Sequence, residues 1–164
     1  MVDETPSQFV NEAELRGLHD AVNPLARDKA IPNLEPHSIH FISLSPFLCI
    51  ASSDPDGPAD VSPRGDAPGF VKVLDDKTLL IPDRIGNNRL DTSANIANNP
   101  HIGLIFLVPG VTETLRVNGQ ARICTDGEVM AEFEVRGKMP KTGLLVAVEE
   151  VMFQCSKALI RSRL

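Results

Sequence analysis

The chain has 164 residues, 42% of them apolar and 23% charged, with 13 prolines, 11 glycines and a formal net charge of −6. At this length roughly two-thirds of the extended surface can be buried, enough for one substantial core and too little for two, and the mixed composition excludes a disordered or fibrous chain. The acidic balance and the absence of Trp and Tyr suit neither a duplex's phosphate field nor base stacking, and no apolar run nears the ~20 residues that a bilayer-spanning helix needs.

The opening MVDETPSQ has neither a basic nor an apolar stretch, so the expectation is a cytoplasmic protein without a signal peptide. Residues 7–23 show helical spacing from Phe9 to Val22, with Ser7 as a candidate N-cap. Pro24 to Pro36 reads as a linker, and His37 to Leu44 as a short helix stopped by Pro46. The period then changes. Phe47–Ser53 and Ala59–Pro63 read as strands around the turn-rich DPDGP, and Val71–Leu74 and Thr78–Ile81 as a hairpin closed by Asp75-Asp76-Lys77. Asn88–Asn98 is helical before Pro100. His101–Val108, Leu115–Ile123 and Leu144–Phe153 are strands, and Ser156–Arg163 a terminal helix. Close-spaced strands with one intervening helix in the body predict a mainly β fold, a small antiparallel barrel with peripheral helices, rather than βα units. The expected organisation is a single domain over 1–164, with 1–36 a helical extension and linker and 37–164 the barrel.

Three cysteines, Cys49, Cys124 and Cys155, form no CxxC pair. Cys49 and Cys124 read as reduced core thiols. His37 and His40 share a helical face without a third ligand nearby, so no metal site is expected.

Four segments carry candidate chemistry. In Val61-Ser62-Pro63-Arg64-Gly65-Asp66, the flanking Pro and Gly could aim the Arg64 guanidinium at a planar or phosphorylated ligand; the plainer reading is a loop with Arg64 solvated or paired to Asp66. In Ile81-Pro82-Asp83-Arg84-Ile85-Gly86-Asn87-Asn88-Arg89, a strand runs into a helix start whose free N–H groups attract anions; an Asn-capped helix with surface arginines reads equally well. In Thr114-Leu115-Arg116-Val117-Asn118-Gly119-Gln120, alternation puts Thr114, Arg116, Asn118 and Gln120 on one face. The segment from Cys155 to Arg163 is basic, with Lys157 and Arg161.

The order of these segments (SPRGD after one strand, IPDR-IGNNR before the helix, NNP before an apolar strand, then TLRVNG) resembles the pyridoxamine 5′-phosphate oxidase-like family over residues 45–163, and within it an uncharacterised branch. The resemblance implies a six-stranded antiparallel FMN-binding split barrel of Greek-key type. It implies a homodimer with FMN in the cleft between subunits, a small-molecule substrate and no nucleic-acid or membrane partner. Carried over by motif, Ser62, Pro63, Arg64 and Gly65 line the flavin edge. Ile81, Pro82 and Asp83 approach the ribityl chain, and Asn88 and Arg89 the phosphate. Thr114 and Arg116 reach the partner subunit's flavin, and Lys157 and Arg161 close the cleft. The implied function is an FMN-dependent oxidoreductase; the alternative is a non-catalytic flavin, haem or F420 binding or stress-related protein on the same barrel. The oxidase proper ends with a Trp and an Arg-Leu-His-Asp-Arg-like run, whereas this chain ends Arg161-Ser162-Arg163-Leu164 without Trp, so vitamin B6 oxidation is not expected. No catalytic acid or base is assigned, because a flavin itself carries the redox step.

Overall fold

A computed structural model of the chain describes residues 10–23 and 29–163. Within these residues five helices and seven strands follow in the order α1 (Glu12–Gly17), α2 (Pro36–Leu44), β1 (Phe47–Ser53), β2 (Ala59–Gly65), β3 (Lys72–Asp75), β4 (Thr78–Pro82), α3 (Asp91–Asn98), β5 (His101–Leu107), β6 (Thr114–Cys124), α4 (Gly127–Ala131), β7 (Gly143–Gln154) and α5 (Lys157–Ser162). All strand pairs are antiparallel, in one sheet ordered β2-β1-β5-β6-β7-β4-β3. The seven apolar runs read from the sequence all become strands, one more than the six-stranded barrel expected, because both hairpins β1–β2 and β3–β4 pair along their length.

Alternation explains the core. Leu48 and Ile50 of β1, Leu104 and Phe106 of β5, Leu115 and Val117 of β6, Val146 of β7 and Leu79 of β4 are fully buried and pack into one cluster. That strands so far apart in the sheet share a cluster means the sheet curls around its inner face into a split barrel. A smaller cluster of Leu80, Met130 and Phe133 lies under the β6–β7 connection, with Cys124 packed against it. Cys49 corrects the expectation of two core thiols. It pairs with Ile105, itself 41% exposed, on the face away from the core, and is half-buried.

β6 and β7 form the longest ladder, broken by a bulge between Asn118 and Gly119. A Cβ on Gly119 would overlap the Ala147 carbonyl oxygen, so only glycine admits this approach of the β7 backbone.

Two helices are shorter than the spacing predicts. Within the described residues the first runs only from Glu12 to Gly17, capped by Asn11, whose Oδ1 accepts from Glu14 N at 3.0 Å; the expected cap Ser7 lies outside them. The helix predicted from Asn88 begins at Asp91, because Asn88 (φ 59°) and Leu90 (φ 61°) are left-handed and break the helical path. The helix α4 has no counterpart among the predicted elements; five residues are too few to show a period. Among the described residues, no helix is long and apolar enough to cross a membrane. Ile31 exchanges backbone hydrogen bonds with Val151, at 3.0 and 2.8 Å, so the end of the predicted linker lies along β7.

Candidate functional site

Register decides which predicted residues can meet. Leu48 pairs with Arg64 and Ile50 with Ser62, so Ser62 and Arg64 share the inner side of β2 with two core residues, while Pro63 and Gly65 face outward. Arg116 pairs with Ile105, and Ile105 with Cys49, which puts Arg116 on the outer face, three strands from β2. Arg64 and Arg116 of one chain therefore do not converge.

The helix α3 lies over the inner end of β1 and β2, held by a row of polar side chains. Thr92 Oγ1 donates to Ser62 Oγ at 3.2 Å. Asn95 Nδ2 donates to Ser52 Oγ (3.0 Å) and Asp60 Oδ2 (2.7 Å), and Asn99 Nδ2 to Ser53 Oγ (3.2 Å). Ser62 and the first turn of α3 are thus brought together. That turn has no side-chain cap, since its N-cap is the left-handed Leu90, and its amides keep their pull on anions. An Asn-capped start, the plainer sequence reading, is not what forms; Asn87 Oδ1 instead accepts from Arg89 N at 3.1 Å.

Arg89 is largely exposed, with Nε 2.8 Å from Asp91 Oδ2. The hydrogen bond and charge of Asp91 raise its already high pKa further, so it is a permanent cation. Arg64 donates Nη1 to Pro63 O at 3.1 Å. Its expected partner Asp66 is taken by Arg84, whose Nε lies 2.6 Å from Asp66 Oδ2. Arg64 therefore carries its charge free of any acid among the described residues.

The side chain of Ile81 belongs to the core and Pro82 is buried, so both offer neighbouring space only backbone. Asp83 is tied to the start of β7: its N–H donates to Thr142 O at 2.9 Å, and Thr142 Oγ1 donates to Asp83 Oδ2 at 3.3 Å.

On the outer face, Glu150 Oε1 accepts from Arg116 Nη2 (2.5 Å) and Asn118 Nδ2 (3.0 Å), while Arg116 Nε, like Arg84 Nε, is buried without a hydrogen-bond partner among the described residues. Thr114 pairs with Gln154, three residues before Lys157, which gathers Thr114, Arg116 and the start of α5 at one end of β6–β7. Lys157 and Arg161 are exposed. The predicted residues thus form two groups, one around β2 and the start of α3, the other on the outer face of β6 and β7.

One wall was missed by sequence reasoning. A cleft of about 400 Å³ opens between Gly65 and Asp66, Arg84 and Ile85, and the segment Val135–Pro140. Arg84 lines it, donating Nη1 to Phe133 O at 2.5 Å while holding Asp66. The sequence signal available was a cluster of Arg136, Lys138 and Met139 around Gly137, which has neither helical nor strand period.

The sequence profile of a family described as pyridoxamine 5′-phosphate oxidase matches residues 34–155. The fold resembles a variant of HupZ from Group A Streptococcus at 22% identity and TM-score 0.59, over 73% of this chain and 98% of that one. It also resembles a Lactobacillus delbrueckii protein proposed to be a pyridoxamine 5′-phosphate oxidase (20%, 0.55, over 74% and 99%). A third likeness is to an FMN-binding protein of Syntrophomonas wolfei (15%, 0.52, over 71% and 81%). At these identities the likeness is one of fold. No curated protein matches the sequence.

Proposed function

Since the chain belongs to the pyridoxamine 5′-phosphate oxidase family, we propose that it is an FMN-binding flavoprotein, an FMN-dependent oxidoreductase acting on a small substrate as a cytoplasmic homodimer. The observation that carries this reading is the seam between β2 and α3. There an acid-free Arg64, the uncapped first turn of α3 and the permanent cation Arg89 lie on neighbouring elements. These groups suit a coenzyme with an anionic tail and a hydrogen-bonding ring.

In this reading Asn88, Arg89 and the α3 amides hold the phosphate. The backbone of Ile81, Pro82 and Asp83 runs beside the ribityl chain, and Ser62 to Gly65 border the ring. Bound there, the flavin supplies a hydride acceptor. The second group of residues supports the two-chain arrangement. Arg116 and Thr114 face away from Arg64 within one chain, so they serve a ring only if it belongs to another copy, with Lys157 and Arg161 closing over it. The outer face that would meet that copy is apolar where β2, β1 and β5 adjoin, with Val61 65%, Phe47 39% and Ile105 41% exposed.

The test is the visible spectrum of freshly purified protein, followed by anaerobic titration with NADPH and NADH. Flavin bands that bleach support an oxidoreductase. Flavin bands that persist indicate a carrier, and a colourless protein that takes up no FMN overturns the reading.

A further inference from the structure

The cleft beside the proposed flavin seam has the build of a site for a small carboxylate. Its volume of about 400 Å³ falls in the ~300–1,000 Å³ range of small-molecule sites. Its walls are apolar at Ile85, Val135, Met139 and Pro140, and its charged groups are Arg84, Arg136 and Lys138 against the single carboxylate of Asp66. The lining thus carries three cations against one carboxylate in a chain whose net charge is −6.

The three cations differ in availability. Arg84 is consumed by Asp66 and Phe133 O. Neither Arg136 nor Lys138 pairs with an acid or donates a side-chain hydrogen bond among the described residues. Both sit on a two-residue hairpin in which Val135 N donates to Lys138 O (3.1 Å) and Lys138 N to Val135 O (3.0 Å). Arg136 (φ 53°) and Gly137 (φ 74°) fill its two central positions with left-handed backbone, as a type I′ turn requires. Asn, Asp or Gly is the usual first central residue, and an arginine there is strained. Strain of this kind is retained where the side chain is needed.

We propose that this cleft binds an amphipathic monoanion, a carboxylate on an apolar body, with Arg136 and Lys138 on the charged end and Ile85, Val135 and Met139 along the body. Asp66 in the lining disfavours a doubly charged head group such as a phosphate monoester. The cleft shares Gly65 with the residues given to the flavin, and Asp66 and Arg84 directly follow them, so the bound molecule is the substrate. That last assignment rests on the flavoprotein reading; binding to the cleft does not.

The experiment is an amide-resolved NMR titration of the full chain with 2-naphthoate, 2-naphthyl phosphate and the neutral 2-naphthalenemethanol, with flavin content measured on the same samples. The expected result is saturable shifts at Gly65, Ile85 and Val135–Met139 with naphthoate, at least tenfold weaker with the alcohol. Arg136→Gly relieves the left-handed strain while removing the charge, so it is expected to fold at least as stably as the parent. Alone or with Lys138→Ala it should weaken naphthoate binding about tenfold. Shifts confined to the outer sheet face, equal binding of acid and alcohol, tighter binding of the phosphate, or unchanged affinity in the double variant would each overturn the proposal. Naphthoate binding in a protein that takes up no flavin leaves the cleft standing and removes the coenzyme reading; a yellow protein that ignores naphthoate does the reverse.

Discussion

Arg84 Nε lies 2.6 Å from Asp66 Oδ2, and the two side chains are each 27% exposed. With Nη1 donating to Phe133 O, this one guanidinium joins the end of β2, the loop after β4 and the connection after β6. The pair is desolvated enough to matter more than an open surface pair, and losing one partner strands the other. Arg84→Ala is expected to lower unfolding stability in urea by roughly 1–3 kcal/mol. Asp66→Ala should cost less, since Arg84 keeps Phe133 O. A double-mutant cycle with no coupling would show that the contact contributes nothing.

Gly119→Ala tests the β6–β7 bulge. The added methyl would overlap the Ala147 carbonyl oxygen, and the ladder must shift to accept it. Overpacking of this kind costs about 1–3 kcal/mol and sometimes more. Thermal denaturation should fall by several degrees; an unchanged midpoint would mean that β7 yields freely.

Arg89 stays charged across the whole working pH range, because Asp91 raises its pKa through a hydrogen bond and through charge. Flavin retention should therefore show no pH dependence from this residue. Arg89→Ala is expected to weaken FMN binding about tenfold, as loss of one charge-assisted contact does. Asp91→Asn, which frees the guanidinium, should not weaken it. Fluorescence titration of FMN reads both, and an Arg89→Ala protein that remains fully yellow after dialysis contradicts the phosphate role.

Ile105 stands on the outer face between Cys49 and Arg116. Ile105→Glu leaves the inner core untouched, so the chain should remain folded. It places a charge in the apolar face offered to a second copy. Sedimentation is expected to show a dimer for the parent at micromolar concentration and a monomer for the variant, with flavin lost in parallel. A parent that is already monomeric would remove the shared-cleft arrangement.

Local patterns were enough for most elements. Alternation along Phe47–Ser53 and Thr114–Cys124 specifies both a strand and its buried face, because successive side chains must point to opposite sides. Helix boundaries were less legible. At Asn88 and Leu90 left-handed backbone overrides a helical pattern, and the helix that starts after them is tied to β2 through Thr92 and Asn95. The segment Val135–Pro140 carries no readable pattern, since a tight hairpin has no period.

What the amino-acid order determined by itself was the set of strands, the composition of the core and the polar motifs that any ligand would have to use. Which of those motifs can act together was decided only in three dimensions. Strand order puts two strands between Arg64 and Arg116, and register turns them to opposite faces. Asp66 went to Arg84, not to the arginine two residues away, because the curled sheet brings the loop after β4 against the end of β2. Strand and helix formation depends on neighbours a few residues apart, whereas face, pairing and cleft depend on contacts between residues far apart in the chain, and these exist only once the sheet has closed.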